Sequence, residues 1–362
     1  MRATLVVSFN KYTGAAAVAE LLARSLHAVG AEATLVFVGG NNLQERLQGE
    51  GWALPYLVKE RLPRHVRANL EAIRSATAGA DAVLSHLPHD HLLCVAAGVH
   101  KRSALVRNFR NPNHFRTDPY HRFLARKVTA AMLANASFGG RLERLAGSIP
   151  TLNLPAPVED RFAPSGDPAA WREHLGIPPE ARVIGMVGKV APGRGFEVLV
   201  ETAARLEVPA HVLAVGHGEA QPALERRASA LGLDDRLHWA GYQDESLPEL
   251  YAAMDVLLFA AAGSDHGHRA ISEAQACGCP VVAAAVPGVE DLIIDRRSGR
   301  IAQGDPAALA RALRQVLRDP EWAAELAAAG CEAVAERRLE PSGRRLVGFL
   351  RDVRRSVGGG TS

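Results

Sequence analysis

Short apolar runs alternate with amphipathic stretches along most of the chain, and this alternation is its strongest constraint. The runs at 4–8, 33–38, 54–58, 82–85, 104–107 and 131–134 are too short for buried helices and show no regular polar alternation. Helix-period patterns lie between them, at 15–29 and 64–78 among others. Strands separated by helices predict a parallel sheet covered on both faces, a doubly wound α/β domain. The pattern then repeats. Strands are expected at 182–187, 211–215, 237–240, 255–259 and 280–283, with helices at 171–175, 196–206, 305–317 and 321–337. At 362 residues the chain exceeds what one hydrophobic core usually serves, so two domains are expected. Pro155, Pro157, Pro164 and Pro168 mark an extended connector with the hinge between about 155 and 170. The domains are therefore set at 1–160 and 170–340, followed by a helix at about 342–357 and a disordered Gly-rich tail.

Several function classes drop out. No apolar run approaches the roughly 18 residues of a membrane span. The opening apolar run reads as a first strand and is too short for a signal peptide. Cys94, Cys277, Cys279 and Cys331 have no metal-ligand spacing and read as reduced cytosolic thiols. A net charge of +3 gives no argument for a nucleic-acid partner. The first βα turn, Ser8 to Gly14, lacks the G-x-G-x-x-G spacing of a dinucleotide site, and no G-x4-G-K-[ST] phosphate loop occurs.

Two stretches carry the chemistry. After the strand at 182–187 comes Gly188-Lys189-Val190-Ala191-Pro192-Gly193-Arg194-Gly195 and then a helix. A Gly-rich loop with two cations at a helix amino terminus suits a diphosphate, through backbone donors, helix dipole and point charges together. After the strand at 255–259, a loop holds Asp265, His266, Gly267 and His268, and a helix expected to start near Arg269 carries Ala270, Ile271 and Glu273. Cys277-Gly278 ends that helix and Pro280-Val281-Val282 opens the next strand.

The second stretch resembles the donor-site signature of retaining GT-B glycosyltransferases of the family-4 type, glycosyl transferases group 1. Asp265 and Glu273 stand at the Glu-x7-Glu positions, Asp replacing the first Glu, and 274–282 follows the Ala-Met-Ala-x-Gly-x-Pro-Val-Val pattern. Lys189 and Arg194 match the family's Gly-Arg-x4-Lys-Gly element with the two basic types exchanged. The connector with Phe162, the turn 216–219, Gly241-Tyr242 and the loop 287–290 follow in family order. The resemblance implies a GT-B fold, two Rossmann-like domains facing each other across a cleft, with the last helix packing back on the first domain. It implies sugar transfer from a nucleoside-diphosphate sugar, the sole co-substrate, to a hydroxyl acceptor with retention. Lys189 and Arg194 would stabilise the leaving diphosphate, Glu273 would hold ribose hydroxyls, and Asp265 would hold the donor sugar. Gly14, Gly188, Tyr242, His266, Gly267, His268, Arg269, Ala270 and Ile271 would complete the donor site. The chain has no Asp-x-Asp pair, so metal-independent turnover is expected, with no cofactor.

The first-domain site is sketched more thinly. Family members carry a His on a strand that here ends in Arg107-Asn108-Phe109-Arg110. His86, Arg107, Asn108 and Arg110 are the acceptor candidates. The paired His89 and His91 lack further ligands for a metal. From 101 to 127 the only acid is Asp118, among Lys101, Arg102, Arg107, Arg110, Arg116, Arg122, Arg126 and Lys127, and Arg64, Arg67 and Arg74 form a second basic series. Such a face suits an anionic glycan or lipid-linked acceptor, or the inner face of an anionic membrane. The expected setting is cytoplasmic, in cell-envelope glycan synthesis. The alternative is a catalytically silent nucleotide- or sugar-binding protein on the same fold.

Overall fold

The structure, a computed structural model, describes residues 1–9, 14–58, 63–109, 118–134, 147–164, 167–261 and 265–358. Contacts divide the chain into two compact units, Met1–Pro157 with Arg337–Ser362, and Val158–Glu336. Each is built on a parallel sheet.

In the first unit the strands are β1 (Arg2–Val7), β2 (Glu32–Val38), β3 (Ala53–Leu57), β4 (Ala82–Ser85), β5 (Ala104–Asn108), β6 (Ala131–Ala134) and β7 (Thr151–Asn153). Their order in the sheet is β3-β2-β1-β4-β5-β6-β7, all neighbours parallel. The helices between them are α1 (Gly14–Ala28), α2 (Asn42–Arg46), α3 (Pro63–Ala76), α4 (Pro88–Ala96) and α5 (Pro119–Val128). Alternate strand residues feed opposite cores, as the two-residue period requires. Leu5, Val7, Leu35, Phe37 and Leu84 bury with Leu22 and Leu26 of α1, whereas Val6, Val36, Val83 and Leu105 bury with Ile73 of α3 and Leu93 of α4. Both faces are apolar, which is why the strands show no polar alternation.

The second unit carries α6 (Pro168–His174), β8 (Arg182–Val187), α7 (Phe196–Ala203), β9 (Ala210–Val215), α8 (Gln221–Ala230), β10 (Leu237–Gly241), α9 (Leu247–Ala252), β11 (Val256–Phe259), α10 (Asp265–Ala276), β12 (Val281–Ala284), β13 (Arg300–Ala302), α11 (Pro306–Arg318) and α12 (Pro320–Ala335). Its sheet order is β10-β9-β8-β11-β12-β13, again parallel throughout. The chain steps outward from β8 to β10 and then returns to the other side of β8. That reversal makes a switch point between β8 and β11, where open α/β sheets bind ligands outside the strand carboxyl ends.

The chain then returns to the first unit as α13 (Leu339–Gly358). Leu346, Leu350 and Val353 bury with Leu22 and Leu26 of α1. Gly343 permits the close approach, because a Cβ there would strike the Ser25 carbonyl oxygen. The Gly-rich tail at 359–362 lies outside the described residues.

One polar cluster is buried at the carboxyl ends of β4 and β5. Arg107 is 5% exposed; burial brings its guanidinium down to about 10 although the Asp90 charge pulls the other way. Desolvation pushes the fully buried Asp90 carboxyl up to about 6, against hydrogen bonds from Ser8 and the Leu87 N–H and the charge of Arg107. A carboxyl raised in the folded state above its ordinary value of about 3.9 contributes stability that is complete below about pH 4 and lost as pH rises through about 6. Asp90→Asn stays neutral at every pH. The wild type is therefore expected to lose stability relative to that variant between pH 4 and pH 6.5, by up to about 1.4 kcal/mol per pH unit. Urea unfolding curves at four pH values would show it, and a constant difference would refute it.

Candidate nucleotide-sugar site

The basic loop after β8 is fixed by its backbone. The Gly188 N–H donates to the Val215 carbonyl (3.0 Å), Val190 N–H to His217 (3.1 Å), and Ala220 N–H to Val190 (3.1 Å). The loops after β8 and β9 thus form one hydrogen-bonded layer. Gly195, with φ +90°, closes the loop against the end of β11, where a Cβ would lie 2.9 Å from the Ala260 carbonyl carbon. Phe196 then starts α7 and buries its ring, stacked 6.3 Å from Trp239. Lys189 and Arg194 stand exposed on this layer. Lys189 Nζ lies 3.3 Å from the Glu219 carboxylate, with both side chains more than 60% exposed, so the pair is weak and readily exchanged for another anion. The Gly193 N–H meets the Glu197 carboxylate at 3.2 Å. Two carboxylates, Glu219 and Glu197, therefore engage a cation and an amide of this exposed loop.

Helix α10 leaves the other strand at the switch point. It begins at Asp265, four residues before the expected start near Arg269, so Asp265, His266, Gly267 and His268 form its first turn and not a loop. In sequence these four residues read as a loop ahead of the helix. A mid-helix Gly costs only about 1 kcal/mol, and burial of His268, Ala270, Ile271 and Ala274 outweighs it. The His268 ring lies 5.2 Å from Phe259 of β11. The side chains of Ala270 and Ile271 belong to the core cluster. Those of Asp265, His266 and Gly267 lie outside the described residues.

Glu273 lies two turns into α10 and is 6% exposed. Its Oε1 accepts from Arg269 Nη2 at 2.8 Å, and its Oε2 accepts from the Tyr251 hydroxyl at 3.0 Å. The spacing of four between Arg269 and Glu273 was legible in the sequence. Tyr251 was not, because α9 reaches Glu273 only through the fold. At the rim, Tyr242 is 61% exposed and meets the His217 ring edge-on at 5.8 Å. Gly216 N–H donates to the Gly241 carbonyl at 2.7 Å, tying the third loop into the layer. The Glu290 carboxylate closes its own loop by accepting from Gly288 N–H at 3.0 Å. The second unit thus gathers Lys189, Arg194, Tyr242, Arg269 and Glu273 on elements leaving the carboxyl ends of its strands.

In the first unit, Gly14 opens α1. His86, Arg107 and Asn108 are all buried, Arg107 with its charge beside Asp90 and its guanidinium 5.1 Å from the Phe109 ring. Arg110 and Arg116 lie outside the described residues, and Lys101, Arg102, Arg122, Arg126 and Lys127 are exposed. His91 is held between the Ser85 hydroxyl (2.8 Å) and the Thr129 hydroxyl (3.0 Å). Among the described residues no group of three His, Cys, Asp or Glu could hold a metal ion, and no helix is long and apolar enough to cross a membrane.

The family model described as glycosyl transferases group 1 matches residues 167–332, the span of the switch-point elements. The second unit belongs to that family. A D-inositol 3-phosphate glycosyltransferase of Geodermatophilus obscurus is 39% identical over 182 residues, covering 46% of this chain and 40% of the relative. One from Catenulispora acidiphila is 38% identical over 193 residues, covering 49% of this chain and 44% of that one. The match thus spans less than half the length of these curated relatives. The crystal structure of Anabaena Alr3699/HepE in complex with UDP superimposes with a TM-score of 0.83 at 20% identity, covering 97% of this chain and 100% of that one. The group 1 domain therefore sits in a chain whose fold is of the GT-B class throughout.

Proposed function

We propose that this chain transfers a sugar from a nucleoside-diphosphate sugar to a hydroxyl acceptor, with retention at the anomeric carbon and without a metal. The observation that carries the reading is the convergence at the β8/β11 switch point. A preformed loop with two exposed cations leaves one strand, and a helix with a buried, oriented carboxylate follows the other. Catalysis of this kind needs positive charge where the leaving diphosphate gains negative charge. Lys189, Arg194 and the amino end of α7 supply it, Glu273 accepts the ribose hydroxyls, and Asp265 holds the donor sugar. UDP is the first nucleotide to try, since HepE was crystallised with UDP and with UDP-glucose. The inositol phosphate relatives favour a phosphorylated acceptor, and the exposed Lys101, Arg102, Arg122, Arg126 and Lys127 suit one, or a cytoplasmic membrane surface.

Thermal melts with millimolar UDP, GDP and ADP, each with and without EDTA, test the donor site. One nucleotide is expected to raise Tm by about 5 °C or more, as binding at a hundredfold excess over Kd implies, and EDTA should leave that shift unchanged. Failure of all three would overturn the donor reading. A shift with no turnover of any nucleotide sugar would favour the catalytically silent alternative.

A further inference from the structure

The Glu273 carboxylate is held on a helix whose described residues, from His268 to Ala276, are all buried apart from Arg269. Its two donors come from different elements, Arg269 from its own helix and Tyr251 from α9. An i,i+4 arginine alone leaves the last torsion of a glutamate soft, because an sp³–sp² torsion has a broad minimum. A second donor on the other oxygen fixes the plane of the group. A carboxylate offers about four lone-pair positions, so one donor per oxygen leaves about one acceptor position on each, the pattern that a vicinal diol requires.

Tyr251 is itself held rigidly. It is fully buried, and its ring meets the edge of Phe162 at 6.2 Å between centroids. The Arg161 guanidinium lies 4.6 Å over the Phe162 ring and bonds Asp244 through both the carboxylate (2.7 Å) and the backbone carbonyl (2.6 Å). Leu247 N–H, at the start of α9, donates to that same Asp244 carbonyl. The connector residues Arg161 and Phe162 therefore brace both ends of the short helix that presents Tyr251. Burial and the Glu273 charge together raise the Tyr251 hydroxyl well above its ordinary pKa, so it remains a donor.

We propose that Tyr251 is a positioning residue for the donor, setting the plane of the Glu273 carboxylate so that its remaining acceptor positions receive the two ribose hydroxyls of the nucleotide. This rests on the reading of Glu273 given above. Tyr251→Phe removes the hydroxyl and keeps the ring on Phe162. Calorimetry would use whichever of UDP, GDP and ADP binds the wild type, together with its 2′,3′-dideoxy form. The variant is expected to bind the nucleotide about tenfold more weakly, as loss of a hydrogen bond to a charged group allows, and to bind the dideoxy form as the wild type does. In a Glu273→Gln background the same change should have no further effect. An unchanged Kd in Tyr251→Phe, or equal weakening toward the dideoxy form, would overturn the role of Tyr251 while leaving the donor site standing. If the wild type binds none of the three nucleotides, the donor reading and this one fall together.

Discussion

Replacing Lys189 and Arg194 together by alanine is expected to lower the rate of sugar transfer about a thousandfold, with little change in the stability of the ligand-free protein. Removing a single preorganised electrostatic donor at a developing anion costs on the order of a hundredfold or more, and the proposed mechanism assigns two cations to one diphosphate. Both side chains lie exposed, and the Lys189–Glu219 pair is more than 60% solvent-accessible on each side. Its loss should move Tm by less than about 2 °C. Release of nucleotide from the sugar donor, followed at saturating acceptor, measures the effect, and the nucleotide-induced rise in Tm should vanish in parallel. A double variant that keeps more than about a tenth of the wild-type rate would remove these cations from the mechanism.

Gly216→Ala is expected to damage the same site from below. The residue has φ +136°, a region open to glycine, and a Cβ there would collide with the Gly188 carbonyl oxygen. It cannot retreat, because its N–H is bonded to the Gly241 carbonyl at 2.7 Å. Backbone strain of about 1–3 kcal/mol and overpacking of a similar size add to about 4 kcal/mol. For a unit of this size that lowers Tm by about 10 °C. The collision pushes on the loop that carries Lys189, so nucleotide binding should fail even below the melting transition. Circular dichroism melts with and without nucleotide separate the two effects. A Tm within about 2 °C of the wild type would show that the layered loops are less tightly packed than their geometry implies.

Most of the fold was legible because strands buried on both faces leave continuous apolar runs. The runs at 82–85, 131–134 and 182–187 coincide with β4, β6 and β8. The three-residue strands β7 and β13 escaped notice. Thr151–Asn153 and Arg300–Ala302 lie at sheet edges, where exposure removes the apolar signal. The start of α10 was expected near Arg269, four residues late, because 265–268 reads as a loop, whereas burial of His268, Ile271 and Ala274 favours helix there. The basic loop could be read from glycine spacing and charge. The partner of Glu273 could not, since Tyr251 sits 22 residues away on another helix.

The two units differ in how the chain supplies them. The second is continuous in sequence, from Val158 to Glu336, whereas the first is made of two separated pieces. The core contact between α1 and α13 joins Ser25 to Gly343, a separation of 343 − 25 = 318 residues. Closing so long a loop carries an entropic cost that is paid before the contact returns anything. The second unit can complete its core while the first still exposes the apolar face of α1 around Leu22 and Leu26. That face is where chaperone protection would matter during folding. A cut between the units after Glu336 would remove a core helix from the first unit and leave the second unit whole.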